Sequence, residues 1–422
     1  EDSCERAQMD ESMAIRSLKR FVADYELQNK EAFYFNEDQQ KANGKNKTVA
    51  VIGGGPAGLT AAYYLSLWGY KVTVFEAAGQ LGGALNYYIP PYRLPNDVLA
   101  REIDIILRSG VNVVLDTKVG RDISFGEIRN HFDAVFVAIG TQQAAELGIE
   151  GEKSKGVMTA LDFLSRINRG QRPEIGDKVV VIGGGSTAFD AARSAVRLGA
   201  KEVCILYRRS KWDMPALPEE REHAAEEGVK IFDYVAPVSI IPDENGRIEG
   251  LKCIRMAKGE FDSSARRKPV PIEGSEFRMD VDTLLIAIGA QGEVEGFEEL
   301  ELTGWKTFKV DEDTMQTSME GVFAGGDCIH GPDTVIQAIA DGRRAALAID
   351  RYLGGNQEEL EKAQQHKPRK IYGSIVETEQ ERLRVPLLTP EERKNNFREI
   401  ELPFDIEACQ REASRCLRCD VR

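Results

Sequence analysis

The sequence predicts an α/β protein built from two copies of one strand–turn–helix–strand unit, with a helical segment ahead of them and an extended tail behind. Two observations predict it. Residues 49–76, "VAVIGGGPAGLTAAYYLSLWGYKVTVFE", and residues 179–209, "VVVIGGGSTAFDAARSAVRLGAKEVCILYRR", follow one plan: four apolar β-formers, a glycine cluster, a small-residue helix, a Gly near the helix end and a second apolar strand. Strands alternating with helices in this way form a parallel sheet with helices on its faces. The second observation is bulk composition: 422 residues, 42% hydrophobic and 29% charged, suit a globular chain of two or three domains.

The same numbers exclude several classes. No apolar run approaches the ~18 to 20 residues needed to span a bilayer, so no membrane insertion is expected. A net charge of −14 argues against nucleic acid or an anionic membrane as main partner. The absence of a signal-peptide pattern, and seven cysteines without even spacing, point to reduced thiols and a cytoplasmic location.

From the start of the chain, residues 1–45 form an N-terminal segment, with helical spacing over 12–35 and a polar linker over 36–47. The first unit then opens as a Rossmann-like dinucleotide cradle. Gly53 permits the sharp turn, Gly55 lets backbone N–H groups approach a pyrophosphate, and Gly58 allows close helix–strand packing. Pro56 and Ala57 complete this turn, at the positive end of the helix. Glu76 ends the second strand, 23 residues after Gly53, where a carboxylate accepts hydrogen bonds from a ribose diol. A glycine turn that binds nothing is the bland alternative for each copy.

The second unit carries Gly183, Gly185 and the accepted variant Ala188, with Ser186 and Thr187 opening its helix. Here the second strand ends in Arg208 and Arg209. A carboxylate favours a free 2′-hydroxyl, whereas guanidinium groups grip a phosphate through paired hydrogen bonds. The second pocket is therefore expected to take NADP(H), with NAD(H) remaining open, and the first a dinucleotide with an unmodified adenosine ribose, such as FAD. Surface ion pairs are the competing explanation for the arginines.

Residues 319–346 separate the pockets by chemistry. The strand "GVFA" ends in Gly325-Gly326-Asp327, and a helix begins near Thr334-Val335. Asp327 is placed for the ribityl or pyrophosphate region of a flavin, and the helix start can stabilise the negative charge of a reduced flavin. The strands in "DAVFVAIGTQ" (133–142) and "DTLLIAIGAQ" (282–291) end in Ile-Gly, adding Ala138, Gly140 and Gly289 to the cofactor-binding candidates. The expected FAD domain is discontinuous, 46–142 and 292–354, with the NAD(P)H domain inserted over 143–291 and a C-terminal tail over 355–422.

These segments resemble the two-dinucleotide-binding-domain flavoproteins. More narrowly, "QLGGALNYYIPPYRLP" (80–95), "GGGSTAFDAARSAVRLGA" (183–200), "YRRSKWDMPA" (207–216) and "GGDCIHGPDTVIQAIADGR" (325–343) resemble the glutamate synthase small (β) subunit. The flavin subunit of NADH-dependent ferredoxin:NADP oxidoreductase and the FAD/NADPH part of dihydropyrimidine dehydrogenase are similar too. The resemblance implies hydride exchange between nicotinamide C4 and flavin N5, then single-electron transfer to iron–sulfur clusters. It places Gly83 and Arg93 near the flavin, and Arg208 and Arg209 at the NADPH 2′-phosphate. It also implies partners: iron–sulfur and catalytic subunits of a larger oxidoreductase complex.

The tail ends "EACQREASRCLRCDVR", whose Cys416 and Cys419 form the only C-x-x-C in the chain. Alone, that pattern fits a metal site, a redox disulfide or chance. The resemblance suggests one [4Fe–4S] cluster held by Cys4, Cys416, Cys419 and a further cysteine just before Glu1. Cys204, Cys253 and Cys328 are expected to be small buried hydrophobes. None of the four histidines shows a partner pattern for acid–base work, and no side chain is assigned as catalytic, because hydride transfer to a flavin needs orientation rather than a general acid. The charged run "PEEREHAAEE" is expected to be a solvated helix face. The alternatives are a stand-alone NADPH:ferredoxin or disulfide reductase and a non-catalytic FAD-containing scaffold.

Overall fold

A computed structural model describes residues 1, 3–29, 46–261, 267–358 and 380–419. The chain divides into two compact units, one of Glu1–Glu37, Asn356–Thr389 and Glu399–Arg422, the other of Asp38–Gly355 and Pro390–Arg398.

The larger unit holds two five-stranded sheets. The first runs Val322–Ala324, Ala134–Val137, Thr48–Ile52, Lys71–Phe75, Asn112–Val114, every neighbouring pair parallel. The second runs Val157–Thr159, Thr283–Ile286, Lys178–Ile182, Glu202–Tyr207, Lys230–Asp233, again all parallel. The two glycine-rich units occupy matching places. In each, the strand before the turn lies between the strand after the helix and one arriving from farther along the chain. Strands of this kind are covered on both faces, which is why they read as unbroken apolar runs: Val49–Ile52 and Val179–Ile182 are all buried.

The crossover helices, Pro56–Leu67 and Ser186–Leu198, pack through small residues. Ala61, Ala62, Ala191, Ala192 and Ala195 are fully buried and let helix and sheet approach closely. The helix Val335–Tyr352 packs on the first of these, its Gly342 placed so that a Cβ would lie 2.2 Å from the carbonyl oxygen of Ala57.

An antiparallel sheet was not anticipated. Ile248–Phe261 pairs with Val235–Pro242, with Phe277–Asp280 and with Arg267–Pro271. Its buried face is built by Ile248, Leu251 and Cys253, which pack with Val180, Leu206 and Leu284 of the second parallel sheet.

In the smaller unit, the expected N-terminal helix forms over Ile15–Asn29, while residues 30–35 of the predicted span and most of the 36–47 linker lie outside the described residues. This unit is joined by a buried charged knot. Glu412, fully buried, accepts from the backbone N–H groups of Ala14 (2.8 Å) and Leu383 (3.0 Å) and from Arg415 Nη1 (2.8 Å). Arg415 also reaches Asp10 at 3.1 Å, and Arg6 donates to the Arg415 carbonyl at 2.8 Å. Such charge-assisted bonds hold only where every member finds a partner. They bring the first residues of the chain against the last described helix, Ile406–Ser414.

Candidate dinucleotide-binding sites

Gly53 sits at φ +108°, and a Cβ there would stand 2.3 Å from the Ala138 carbonyl oxygen. No other residue fits that turn. Pro56 is the first residue of the following helix, and its N-cap, Gly55, makes no side-chain cap. The first-turn N–H groups of this helix are thus left for an outside acceptor, the arrangement that suits a phosphate. Across the mouth lies Gly83; a Cβ on it would be 2.9 Å from Gly55 Cα. Backbone faces backbone here, leaving room that side chains would fill. Ala57 is buried, and a Cβ on Gly326 would touch its Cβ at 2.9 Å. Gly58 packs on the Gly53 carbonyl, and Ala138 is buried at the end of its strand, two residues before Gly140.

Glu76 is buried, accepting from the N–H groups of Gly54 (2.6 Å) and Ala78 (2.8 Å). Its carboxylate therefore fixes the glycine turn while keeping lone pairs for a diol. These features fit an adenine dinucleotide without a 2′-phosphate.

Asp327 follows Gly326 as the first residue of a short helix, Asp327–His330, that the sequence reading did not resolve. Burial, with a contribution from the nearby Asp333 and Asp341 carboxylates, pushes its carboxyl up to about 6, against the Asp333 N–H and the Thr141 hydroxyl. Thr334 is the N-cap of Val335–Tyr352, its hydroxyl accepting from Gln337 N–H at 3.3 Å, and Val335 is partly exposed. The loop is pinned by a residue that sequence reasoning missed. Asp341, fully buried, accepts from Gly326 N–H (3.0 Å), Gln337 (2.9 Å) and Arg344 (2.6 Å), with His330 Nε2 at 3.4 Å.

The second cradle repeats the geometry. Gly183 has φ +150°, and its Cβ would lie 2.2 Å from the Ala287 carbonyl oxygen. Gly185 caps the helix Ser186–Leu198 without a side-chain bond, and nothing lies within 4 Å of the position its Cβ would take. Ser186 and Thr187 form the first turn, and Gly289, at φ +121°, lies two residues beyond Ala287. The lip differs from the first cradle. Arg208 is exposed, and Arg209 is half-buried with its Nε donating to the Arg267 carbonyl at 3.1 Å. The loop after them folds back over the turn, Ala216 N–H donating to the Gly184 carbonyl at 3.1 Å. These features fit a dinucleotide bearing an extra phosphate on its adenosine.

Arg93 is engaged by protein groups. Its guanidinium bonds Asp190 at 2.7 Å and lies 2.9 Å from Glu220. Both carboxylates come from the second cradle's helices. The solvated face expected for "PEEREHAAEE" holds for Glu219, Glu222 and Glu226, which are exposed, but not for Glu220 and Glu227, which are buried, the latter holding Arg193 at 2.8 Å and Arg197 at 2.6 Å. One signal was available, since a carboxylate run beside "AARSAVR" offers several acid–base partners, but spacing could not choose among them.

The cysteines divide in two. Burial pushes the Cys204, Cys253 and Cys328 thiols up to about 12, consistent with inert packing. Cys4 is half-buried, whereas Cys416 and Cys419 are exposed. Among the described residues, no three His, Cys, Asp or Glu side chains converge as a metal-binding set. No described helix is long and apolar enough to cross a membrane.

The chain is 41% identical to the β subunit of an NADP(+)-dependent formate dehydrogenase from Moorella thermoacetica, over 99% of this chain and 63% of that protein. It is 34% identical to the small chain of glutamate synthase [NADPH] from Escherichia coli, over 81% of this chain and 75% of the other. The chain therefore spans less than two thirds of the formate dehydrogenase subunit. In fold it is similar to Mycobacterium tuberculosis FprA in complex with NADPH, with a TM-score of 0.64 at 17% identity, covering 75% of this chain and 87% of that one. Residues 47–342, which contain both cradles, match the pyridine nucleotide-disulphide oxidoreductases, and the chain belongs to that family.

Proposed function

We propose that this chain is the electron-transfer subunit of a cytoplasmic oxidoreductase complex, exchanging a hydride between NADP(H) and FAD and passing electrons singly to iron–sulfur clusters of partner subunits. The observation that carries the reading is the pair of matched glycine turns with opposite lips, buried Glu76 on one and Arg208-Arg209 on the other. FAD, when bound, supplies a ring that takes up a hydride and releases its electrons one at a time.

The chain's own groups do the rest. Gly53, Gly55 and Gly58 open the first cradle, and Glu76 holds the adenosine ribose. Asp327 holds the ribityl or pyrophosphate region, and the helix beginning at Thr334-Val335 stabilises negative charge on the pyrimidine end of the ring. Gly183, Gly185, Ser186 and Thr187 seat the nicotinamide dinucleotide, with Arg208 and Arg209 on the 2′-phosphate. Residues 46–142 and 292–354 form the flavin domain and 143–291 the nicotinamide domain. The relatives named as a formate dehydrogenase β subunit and a glutamate synthase small chain support a subunit role. The high thiol pKa values of Cys204, Cys253 and Cys328 weigh against a disulfide reductase.

Anaerobic titration of the FAD-loaded protein with NADPH tests this directly. Bleaching of the flavin band is expected. A flavin that stays oxidised with both NADPH and NADH would leave a scaffold role instead.

A further inference from the structure

We propose that Arg93 is a positioning residue for the nicotinamide cradle: its guanidinium neutralises Glu220 beside the phosphate-binding helix, so that the 80–95 stretch bordering the flavin cradle also governs dinucleotide affinity at the other. The inference rests on the two-cradle reading above.

Glu220 lies on a separate helix, Pro218–Glu226, and touches the first residue of the second cradle's helix. Its Oε2 accepts from the Ser186 hydroxyl at 2.9 Å and from Leu217 N–H at 2.9 Å. Its other oxygen has Arg93 Nη2 at 2.9 Å. Arg93 Nη1 bonds Asp190 on the same helix as Ser186, at 2.7 Å. The Glu220 and Asp190 side chains are 8% and 6% exposed, so water screens neither charge well.

A helix start that accepts an anionic pyrophosphate does so through its N–H groups and positive potential. A buried carboxylate touching its first residue opposes that potential. Two such carboxylates would oppose it strongly, and Arg93 is a guanidinium in contact with both. Removing one partner of a buried charge pair leaves the other uncompensated, which is the expensive outcome.

Arg93 comes from outside the second sheet. Ten residues earlier in the same stretch, Gly83 faces Gly55 across the first cradle. The intervening chain is anchored to the inserted part of the fold: Asn168 Nδ2 donates to the carbonyls of Asn86 (3.0 Å) and Ile89 (2.8 Å). Tyr92, fully buried, lies under the Arg197 and Arg193 guanidiniums, at 4.0 and 4.9 Å from its ring centroid. The stretch is thus fixed at several points, and Arg93 is where its charge meets the second cradle.

The test titrates NADP+ into the FAD-loaded full chain and follows the shift of the flavin absorption band, using R93M, E220Q and the double variant. R93M is expected to weaken NADP+ binding tenfold or more with the flavin spectrum retained. E220Q should stay within threefold of wild type, and the double variant should recover at least threefold of the R93M loss, because no uncompensated Glu220 charge remains. Additive effects in the double variant, or an R93M affinity equal to wild type, would overturn the proposal. If R93M does not retain flavin, E220Q decides: a tenfold loss there makes Glu220 a direct ligand and ends the charge-compensation argument, whereas affinity within threefold, together with R93K binding NADP+ near the wild-type level, sustains it. Failure of wild-type flavin to bleach with either nicotinamide would instead remove the two-cradle reading itself.

Discussion

Gly53 turns its α-carbon against the carbonyl oxygen of Ala138, where a Cβ would intrude to 2.3 Å, and Gly183 repeats the contact with Ala287 at 2.2 Å. Each glycine lies at the back of one cradle, so each can be filled separately. Gly183→Ala is expected to cost about 1–3 kcal/mol of local strain. It should weaken NADP+ binding on the order of tenfold or more while the protein remains yellow. Gly53→Ala should do the reverse, releasing flavin during purification. Flavin content and NADP+ affinity measured on both variants check the pairing; loss of both cofactors from each variant would mean that the cradles are not separable.

Arg208 and Arg209 are expected to differ in weight. Arg208 is exposed at the strand end, whereas Arg209 already donates to the Arg267 carbonyl. A charge-assisted hydrogen bond to a phosphate contributes about 1.5–3 kcal/mol. Arg208→Ala should therefore raise KM for NADPH roughly 10- to 100-fold and leave KM for NADH nearly unchanged. Arg209→Ala should have the smaller effect on the NADPH/NADH ratio. Steady-state flavin reduction with both nucleotides separates the two, and equal losses with NADH would remove the 2′-phosphate assignment.

What could be read in advance was local. The two glycine turns, the strands before and after them and the N-cap at Thr334 follow from patterns a few residues long, because turn chemistry and apolar runs act at short range. The antiparallel strands around Ile248–Phe261 show no clean alternation, since Gly250 and Leu251 are both buried, so period two does not reveal them. The ion-pair web was of another kind. Arg93, Asp190, Glu220 and Glu227 are charged residues whose burial depends on partners up to 127 positions away, Glu220 being that far from Arg93. In sequence, such residues are indistinguishable from solvated ones. For the same reason Asp341 went unnoticed, although it holds the Gly326-Asp327 loop from within the helix beneath it.

Asp327 gives a pH signature. Burial raises its carboxyl from 3.8 to about 6. A raised acid contributes stability that is fully present below the unfolded value and is lost as pH rises through the folded one. Stability of the cofactor-free protein should thus fall by about 3 kcal/mol between pH 3.8 and about 6 from this group. Asp327→Asn, with no proton to lose, should flatten that part of the pH profile and stabilise the cofactor-free chain at neutral pH, while weakening its hold on FAD. Denaturant midpoints of both proteins across this range check the sign.

Glu227 makes the opposite case. Burial alone would raise its carboxyl, but hydrogen bonds from Arg197 and Arg193 hold it below the usual 4.5. Its contribution is therefore complete above that value and is lost only as pH falls through the lowered one. Replacing it leaves two guanidiniums buried beside each other without an anion, the condition that costs about 3–5 kcal/mol. Glu227→Gln should lower the stability of the larger unit by that order. Because Tyr92 stacks under both arginines, the loss should also loosen the 80–95 stretch and expose it to proteases. If the variant is as stable as wild type at pH 7, the two arginines must be compensated by neighbours other than Glu227, and the web around the second cradle does not act as one charged unit.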